Sequence, residues 1–150
     1  MTTKKGPWLG VMVHHTATKD NLTVEDIRKM HKKRGFGDVG YHFLLQKDKK
    51  GKAHLKKGRS VVYTGAHCDA GGYNKTFLGF ALIGNFENET PDEEYWEEII
   101  KALCHLIKLY DCPRVLGHKE AKATLCPGKN IDLDKIREEV SKKLKITINK

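Results

Sequence analysis

The segment that most constrains the fold runs from Thr90 to Tyr110. There Trp96, Ile99, Ile100, Leu103, Leu106, Ile107 and Tyr110 recur at the spacing of one helix face. A helix with so broad an apolar face draws its stability from whatever covers that face. Thr90 reads as its N-cap and Pro91 as its first helical position, where the missing N–H of proline costs nothing. The remaining apolar segments are of a different kind. Leu9-Gly10-Val11-Met12-Val13 is short, apolar and β-branched, and Phe77 to Ile83 and Tyr41 to Gln46 are short runs of aromatic and aliphatic residues. Such runs read as strands, and a sheet is the natural cover for the long helix.

The connecting segments agree with that picture. Thr23 to Arg34 reads as a helix, with Thr23 and Asp26 as a weak capping box, Val24, Ile27 and Met30 on one face, and Gly35 as the stop. Lys47-Asp48-Lys49-Lys50-Gly51 is a charged hairpin turn, and His54 to Tyr63 has room for one or two strands. Gly65 to Lys75 is a polar, glycine-rich loop, Arg114 to His118 a short strand, and Leu133 to Leu144 a final helix. Repeats, low-complexity tracts and linkers are absent. The expected fold is a single α/β domain over residues 1–150, with a central mixed β-sheet and helices packed on both faces.

Charge narrows the partners. Lys and Arg number 28 against 19 Asp and Glu, a net charge of +9 that favours a polyanion: nucleic acid, anionic membrane or a phosphate-rich wall. A nucleic-acid motif or a basic stripe interleaved with aromatics is missing, so nucleic acid is not the expected partner. No run approaches the ~20 apolar residues of a membrane span. Met1 to Pro7 lacks the apolar core of a secretory signal, which leads us to expect synthesis in the cytoplasm and export by another route. In such a chain Cys68, Cys104, Cys112 and Cys126 read as reduced thiols or metal ligands rather than disulfides.

Three clusters fall at strand ends: His14-His15-Thr16, Tyr41-His42, and His118 with Cys126. Zinc takes nitrogen and sulfur ligands, and a catalytic zinc keeps one position open. Two histidines and one cysteine satisfy that requirement, whichever histidines they are. His67-Cys68-Asp69 offers another metal-binding pair or a plain loop. The other histidines have simpler readings. His31 and His54 are expected on the solvated surface and His105 partly buried in the long helix. His42 is expected to be structural, on the sheet face opposite Tyr41, and His15 to be a neighbour of the ligands. Cys104 and Cys112 read as small buried hydrophobes.

Four motifs in order resemble the type 2 N-acetylmuramoyl-L-alanine amidases, whose fold is shared by phage lysozyme-type amidases and animal peptidoglycan recognition proteins. They are Val13-His14-His15-Thr16-Ala17-Thr18; Asp38-Val39-Gly40-Tyr41-His42-Phe43; Gly65-Ala66-His67 with Gly72-Tyr73-Asn74; and Gly117-His118-Lys119-Glu120 with Cys126-Pro127-Gly128, the cysteine eight positions after the histidine. The resemblance covers about 14–133. It implies one zinc ion held by His14, His118 and Cys126, a catalytic Tyr41, and substrate contact at His67 and Asn74. Where the phage enzymes commonly carry lysine, this chain has Thr124, as many recognition-protein amidases do, and the second catalytic role falls to it. The implied protein is a bacteriolytic endolysin, monomeric, acting on bacterial peptidoglycan once released. The competing reading on the same fold is a non-catalytic recognition module, whose members typically lack the cysteine ligand. The C-terminal helix, with Lys135, Arg137, Lys142, Lys143 and Lys145 around its apolar face, reads first as a core-packed helix with a solvated basic face; the alternative is a basic end that draws the protein to anionic wall polymers or membrane.

Overall fold

Hydrogen bonds join five strands in the order β3-β2-β4-β1-β5 in a computed structural model that describes residues 1–150. The strands are β1 (Gly10–His15), β2 (Phe43–Lys47), β3 (Ala53–Lys57), β4 (Phe77–Leu82) and β5 (Val115–Gly117). The helices are α1 (Val24–Lys33), α2 (Tyr73–Thr76), α3 (Glu93–Tyr110), α4 (His118–Ala121) and α5 (Leu133–Leu144). Every neighbouring pair is parallel except β2 and β3, which form an antiparallel hairpin at the edge. The sheet is therefore mixed, as expected. Its central strands are apolar on both faces because helices cover both, the usual state of parallel strands.

On one face Val11, Val13, Leu78, Phe80 and Leu82 meet Ile99, Leu103 and Leu106 of α3, with Ile136 and Val140 of α5 in the same core. On the other, Val24 and Ile27 of α1 pack on Leu44, Ala81 and Ile83, and Met12, Phe77 and Leu116 form a smaller cluster with Cys68. No helix is long and apolar enough to cross a membrane.

The elements differ from the sequence reading at several points. The cap of α3 is Asp92, whose Oδ1 accepts from the Tyr95 N–H at 2.8 Å, so the helix begins two residues beyond Pro91. In α1 the capping box of Thr23 and Asp26 forms, but Met30 is exposed and His31 is buried. Val24, Ile27 and His31 are three and four apart, the true inward stripe. Tyr41 and His42 precede β2 rather than opening it, a helical turn ends the glycine-rich loop, and His118 opens α4 instead of closing a strand.

Arg137 is not on the solvated side of α5. It lies four residues after Leu133 and three before Val140, on the inward face, and is buried. Its guanidinium donates to Glu120 Oε1 at 2.8 Å, Glu120 Oε2 at 2.9 Å and the Val115 carbonyl at 2.9 Å. Glu120 in turn accepts from the Gly117 N–H at 2.9 Å. This pair ties α5 to the end of β5, from which His118 projects. Removing Arg137 takes away both of its bonds to the largely buried Glu120 carboxylate and leaves it only the Gly117 N–H and the Lys150 ammonium at 3.3 Å, a loss of about 3 kcal/mol. Arg137→Ala is expected to destabilise the fold by about that amount in urea denaturation, whereas Lys143→Ala on the exposed side changes stability by less than about 0.5 kcal/mol.

Candidate metal and catalytic site

In β1 the residues paired with β5 are Val11 to Val13, with Val13 opposite Gly117. The next residue of each chain segment is a histidine, so His14 and His118 stand side by side at the carboxyl ends of parallel strands, where ligand sites of open α/β sheets form. Their ring centroids are 4.6 Å apart. The loop after α4 folds back over them. The Lys119 N–H donates to the Cys126 carbonyl at 2.8 Å and the His15 N–H to Cys126 Sγ at 3.3 Å. One donor atom each from His14, His118 and Cys126 then lies within 4.8 Å of the others.

A zinc ion fits this donor set on two observations. Nε2 of His118 is buried without a hydrogen-bond partner, a condition that a buried polar atom rarely tolerates. Nδ1 of His14 faces Cys126 Sγ at 3.6 Å. Two imidazoles and one thiol make the nitrogen-and-sulfur set that zinc takes. Burial, followed by the neighbouring His67, His118 and His15, holds the His14 pKa well below the ordinary range, and burial lowers that of His118. Both rings are thus neutral, the form that ligates. Burial pushes the Cys126 thiol up to about 11 against the opposing His15 N–H, a balance that a coordinated cation reverses.

Tyr41 overlooks this cluster, its ring 5.1 Å from that of His14 and 5.4 Å from that of His31. Burial, reinforced by the Cys126 sulfur, raises its pKa above the usual phenol value, so the hydroxyl stays protonated and able to donate. His31 does not lie on the surface as expected. Its Nδ1 accepts from the Gly40 N–H at 2.9 Å and steadies the turn before Tyr41. Arg59 does the same from below, donating to the carbonyls of Val39, Thr64 and Asp38 at 2.9, 3.0 and 3.1 Å. The spacing of His31 from Val24 and Ile27 was a usable signal. Nothing in Lys56-Lys57-Gly58-Arg59 marks which cation turns inward.

Thr124 lines the same cleft of about 500 Å³, along with His14, Tyr41, His67, His118 and Cys126. Its Oγ1 accepts from the Cys126 N–H at 3.3 Å. His67 also lines the cleft, but both of its ring nitrogens are engaged within the protein. Nδ1 is 2.9 Å from His14 Nε2, and Nε2 donates to the Phe77 carbonyl at 2.9 Å. Burial takes its pKa down to about 3. Asn74 Oδ1 accepts from the N–H groups of His67 and Cys68 at 2.7 and 2.9 Å and so shapes the loop.

The remaining histidines divide clearly. His15 packs beneath Cys126 and accepts from the Phe86 N–H through Nδ1 at 3.0 Å. His42 is fully buried and structural as expected, edge-on to Trp8, with Nδ1 accepting from the Gly79 N–H at 3.1 Å and Nε2 2.9 Å from the Tyr63 carbonyl. His54 pairs with Asp48 at 2.9 Å. His105 is exposed, not half-buried. All four cysteines are free, with Cys68 and Cys112 buried and Cys104 half-buried.

A mixed sheet carrying a His-His-Cys set at its strand ends, overlooked by a tyrosine, defines an α/β domain of the kind shared by wall amidases and peptidoglycan-recognition proteins. The chain belongs to the N-acetylmuramoyl-L-alanine amidase family, whose profile matches residues 4–129. It is 32% identical over 127 residues to the endolysin of Escherichia phage T7, covering 79% of each chain. It is 30% identical over 135 residues to a peptidoglycan-recognition protein of Drosophila simulans, covering 81% of this chain and 69% of that protein. The structure of the N-acetylmuramoyl-L-alanine amidase LysC from Clostridium intestinale superposes with a TM-score of 0.77 at 28% identity, over 98% of this chain and 95% of that one.

The buried histidines carry a pH signature. Burial draws the His42 pKa from 6.5 to about 4, so its folded state resists protonation that the unfolded chain accepts. That contribution to stability is complete above pH 6.5 and is lost as pH falls towards 4. Urea titrations across this window should show a smaller loss of stability in His42→Gln than in the wild type.

Proposed function

We propose that this chain is a zinc-dependent N-acetylmuramoyl-L-alanine amidase that hydrolyses the amide bond between N-acetylmuramic acid and L-alanine of the peptidoglycan stem peptide. We further propose that its whole length is one catalytic domain and that it serves as a phage or prophage endolysin, reaching the wall after release from the cytoplasm in which it is made. The observation that carries this reading is the complete donor set, with the buried Nε2 of His118 unpartnered, directly beside Tyr41. A recognition module without catalysis has no need of the third donor, Cys126.

His14, His118 and Cys126 would hold the zinc ion. Bound there, zinc supplies Lewis-acid polarisation of a carbonyl and acidification of water near neutral pH. The chain's own residues do the rest. His15 directs its N–H at the Cys126 sulfur and favours the thiolate. The Tyr41 hydroxyl, kept protonated by burial, donates to the oxygen on which charge develops as the amide is attacked. Thr124 offers a neutral hydroxyl at the cleft wall and brings no charge of its own.

Mass spectrometry of digested peptidoglycan is the direct test. Products with a free lactyl carboxylate on the sugar and a free L-alanine amine are expected. Cys126→Ser should lose most of its zinc and activity, and chelation should silence the wild type. Tyr41→Phe should keep fold and zinc while turnover falls by about 10²–10³, with a smaller loss in Thr124→Ala. Tight peptidoglycan binding by a zinc-loaded wild type that cuts nothing would favour the recognition module instead.

Attraction to an anionic wall belongs to the same reading, but α1 suits it better than α5. On α5 Arg137 is paired inside, Lys142 bonds Glu138 at 3.1 Å and Lys135 lies over the Trp96 ring. On α1 and its cap Lys29, Lys32, Lys33 and Arg34 are exposed and free of ion pairs, and Arg34 lines the cleft. Replacing Lys29, Lys32 and Lys33 with glutamine should reduce sedimentation with intact walls at low salt more than replacing Lys142, Lys143 and Lys145. Salt should erase the difference, since exposed charges act over roughly 8 Å at physiological ionic strength. Cleavage of a small soluble muropeptide should be unchanged in both.

A further inference from the structure

We infer that His67 is a positioning residue, which holds His14 in the one tautomer that turns a lone pair towards His118 and Cys126. The inference rests on the zinc reading above and gives His67 a role in metal affinity in place of substrate contact.

The hydrogen bonds determine the tautomers in sequence. The Phe77 carbonyl can only accept, so Nε2 of His67, 2.9 Å away, carries the hydrogen. In the neutral ring Nδ1 is then an acceptor, and it lies 2.9 Å from Nε2 of His14. His14 must place its own hydrogen on Nε2. That leaves the lone pair on Nδ1, the atom that faces Cys126 Sγ. The opposite tautomer of His14 would set two lone pairs against each other and point a hydrogen into the donor cluster. In a dry interior an unmade bond of this kind is costly.

The surroundings are built around the ring. Gly65 and Gly79 flank it. A Cβ on Gly65 would come within 2.5 Å of His67 Cδ2, and one on Gly79 within 2.7 Å. Two positions without side chains thus make the slot. Asn74 fixes the backbone on the other side by accepting from two consecutive N–H groups. Substrate contact requires none of this, and a ring with both nitrogens bonded inside the protein has none left for a ligand. Losing such a partner typically costs about 10–100-fold in metal affinity or activity.

The test compares wild type, His67→Ala and His67→Gln by zinc competition against a chromophoric chelator, by absorption of the cobalt-substituted proteins, and by kcat and KM on a soluble muropeptide. His67→Ala should bind zinc about 10–100-fold more weakly, with an altered cobalt spectrum, a lower kcat and an unchanged KM. His67→Gln, whose side-chain carbonyl can accept from His14, should recover much of the affinity. Unchanged zinc affinity and cobalt spectrum with a raised KM would overturn the inference and return His67 to the substrate. Long-range ¹H–¹⁵N spectra of the wild type decide the matter without a variant that has to fold. A hydrogen on Nε2 of both His14 and His67 is expected, and one on Nδ1 of His14 would refute the assignment. If the wild type bound no zinc, the amidase reading would fail on that measurement alone, while the metal-free spectrum would still uphold or remove the His14–His67 contact.

Discussion

The backbone ladder of β1, bonded in parallel to β4 on one side and β5 on the other, sets the relative height of His14 and His118 before any side-chain interaction acts. The register that pairs Val13 with Gly117 leaves both histidines one residue beyond the last pair. Because β1 is buried on both faces, a slip by one residue would turn His14 into the α3 face and a core residue out of it. The geometry of the site is therefore held by the same packing that holds the fold. The Arg137–Glu120 pair extends this control to the far side of β5, tying a helix from the end of the chain to the strand that delivers His118.

Placed on such a frame, the site residues are buried or half-buried, and burial decides their protonation. Burial keeps the histidines neutral and the tyrosine protonated, and it works against a free thiolate at Cys126. A bare cluster of this kind carries an unpartnered nitrogen and a sulfur whose charge has little support beyond one backbone N–H. A soft divalent cation resolves both conditions at once. Relatives of this chain include an endolysin and an insect peptidoglycan-recognition protein, so the frame serves partners of quite different biology. Around the donor set, the cleft wall of this chain carries a neutral hydroxyl at Thr124 and a cation at Arg34.

Much of this is legible in the sequence because it is local. Short apolar runs identify most of the strands, the apolar stripe identifies α3, the Thr23–Asp26 box forms as read, and α5 runs from Leu133 to Leu144. The resemblance to the amidase motifs implies His14, His118 and Cys126 as ligands, and the structure brings the three together. The cap of α3 escapes a sequence reading because Thr90 and Asp92 are both good caps, and only the backbone entering the helix selects between them. His31, Arg59 and Arg137 escape it for a different reason. A polar side chain shows by its type that water suits it, but not that a carbonyl or carboxylate waits in the interior to replace that water.

The sequence by itself determined the fold class, the longer helices, most of the strands and the residue types able to bind a metal, since these depend on neighbours a few positions apart. The tertiary structure alone decided which nitrogen of His14 is free, that His67 and Asn74 stand behind the donor set, and that Arg34 at the end of α1, and no cation of α5, lines the cleft. Those outcomes follow from hydrogen bonds and ion pairs between residues distant in the chain. Their strength depends on exclusion of water, which exists only after the sheet and helices have closed around them.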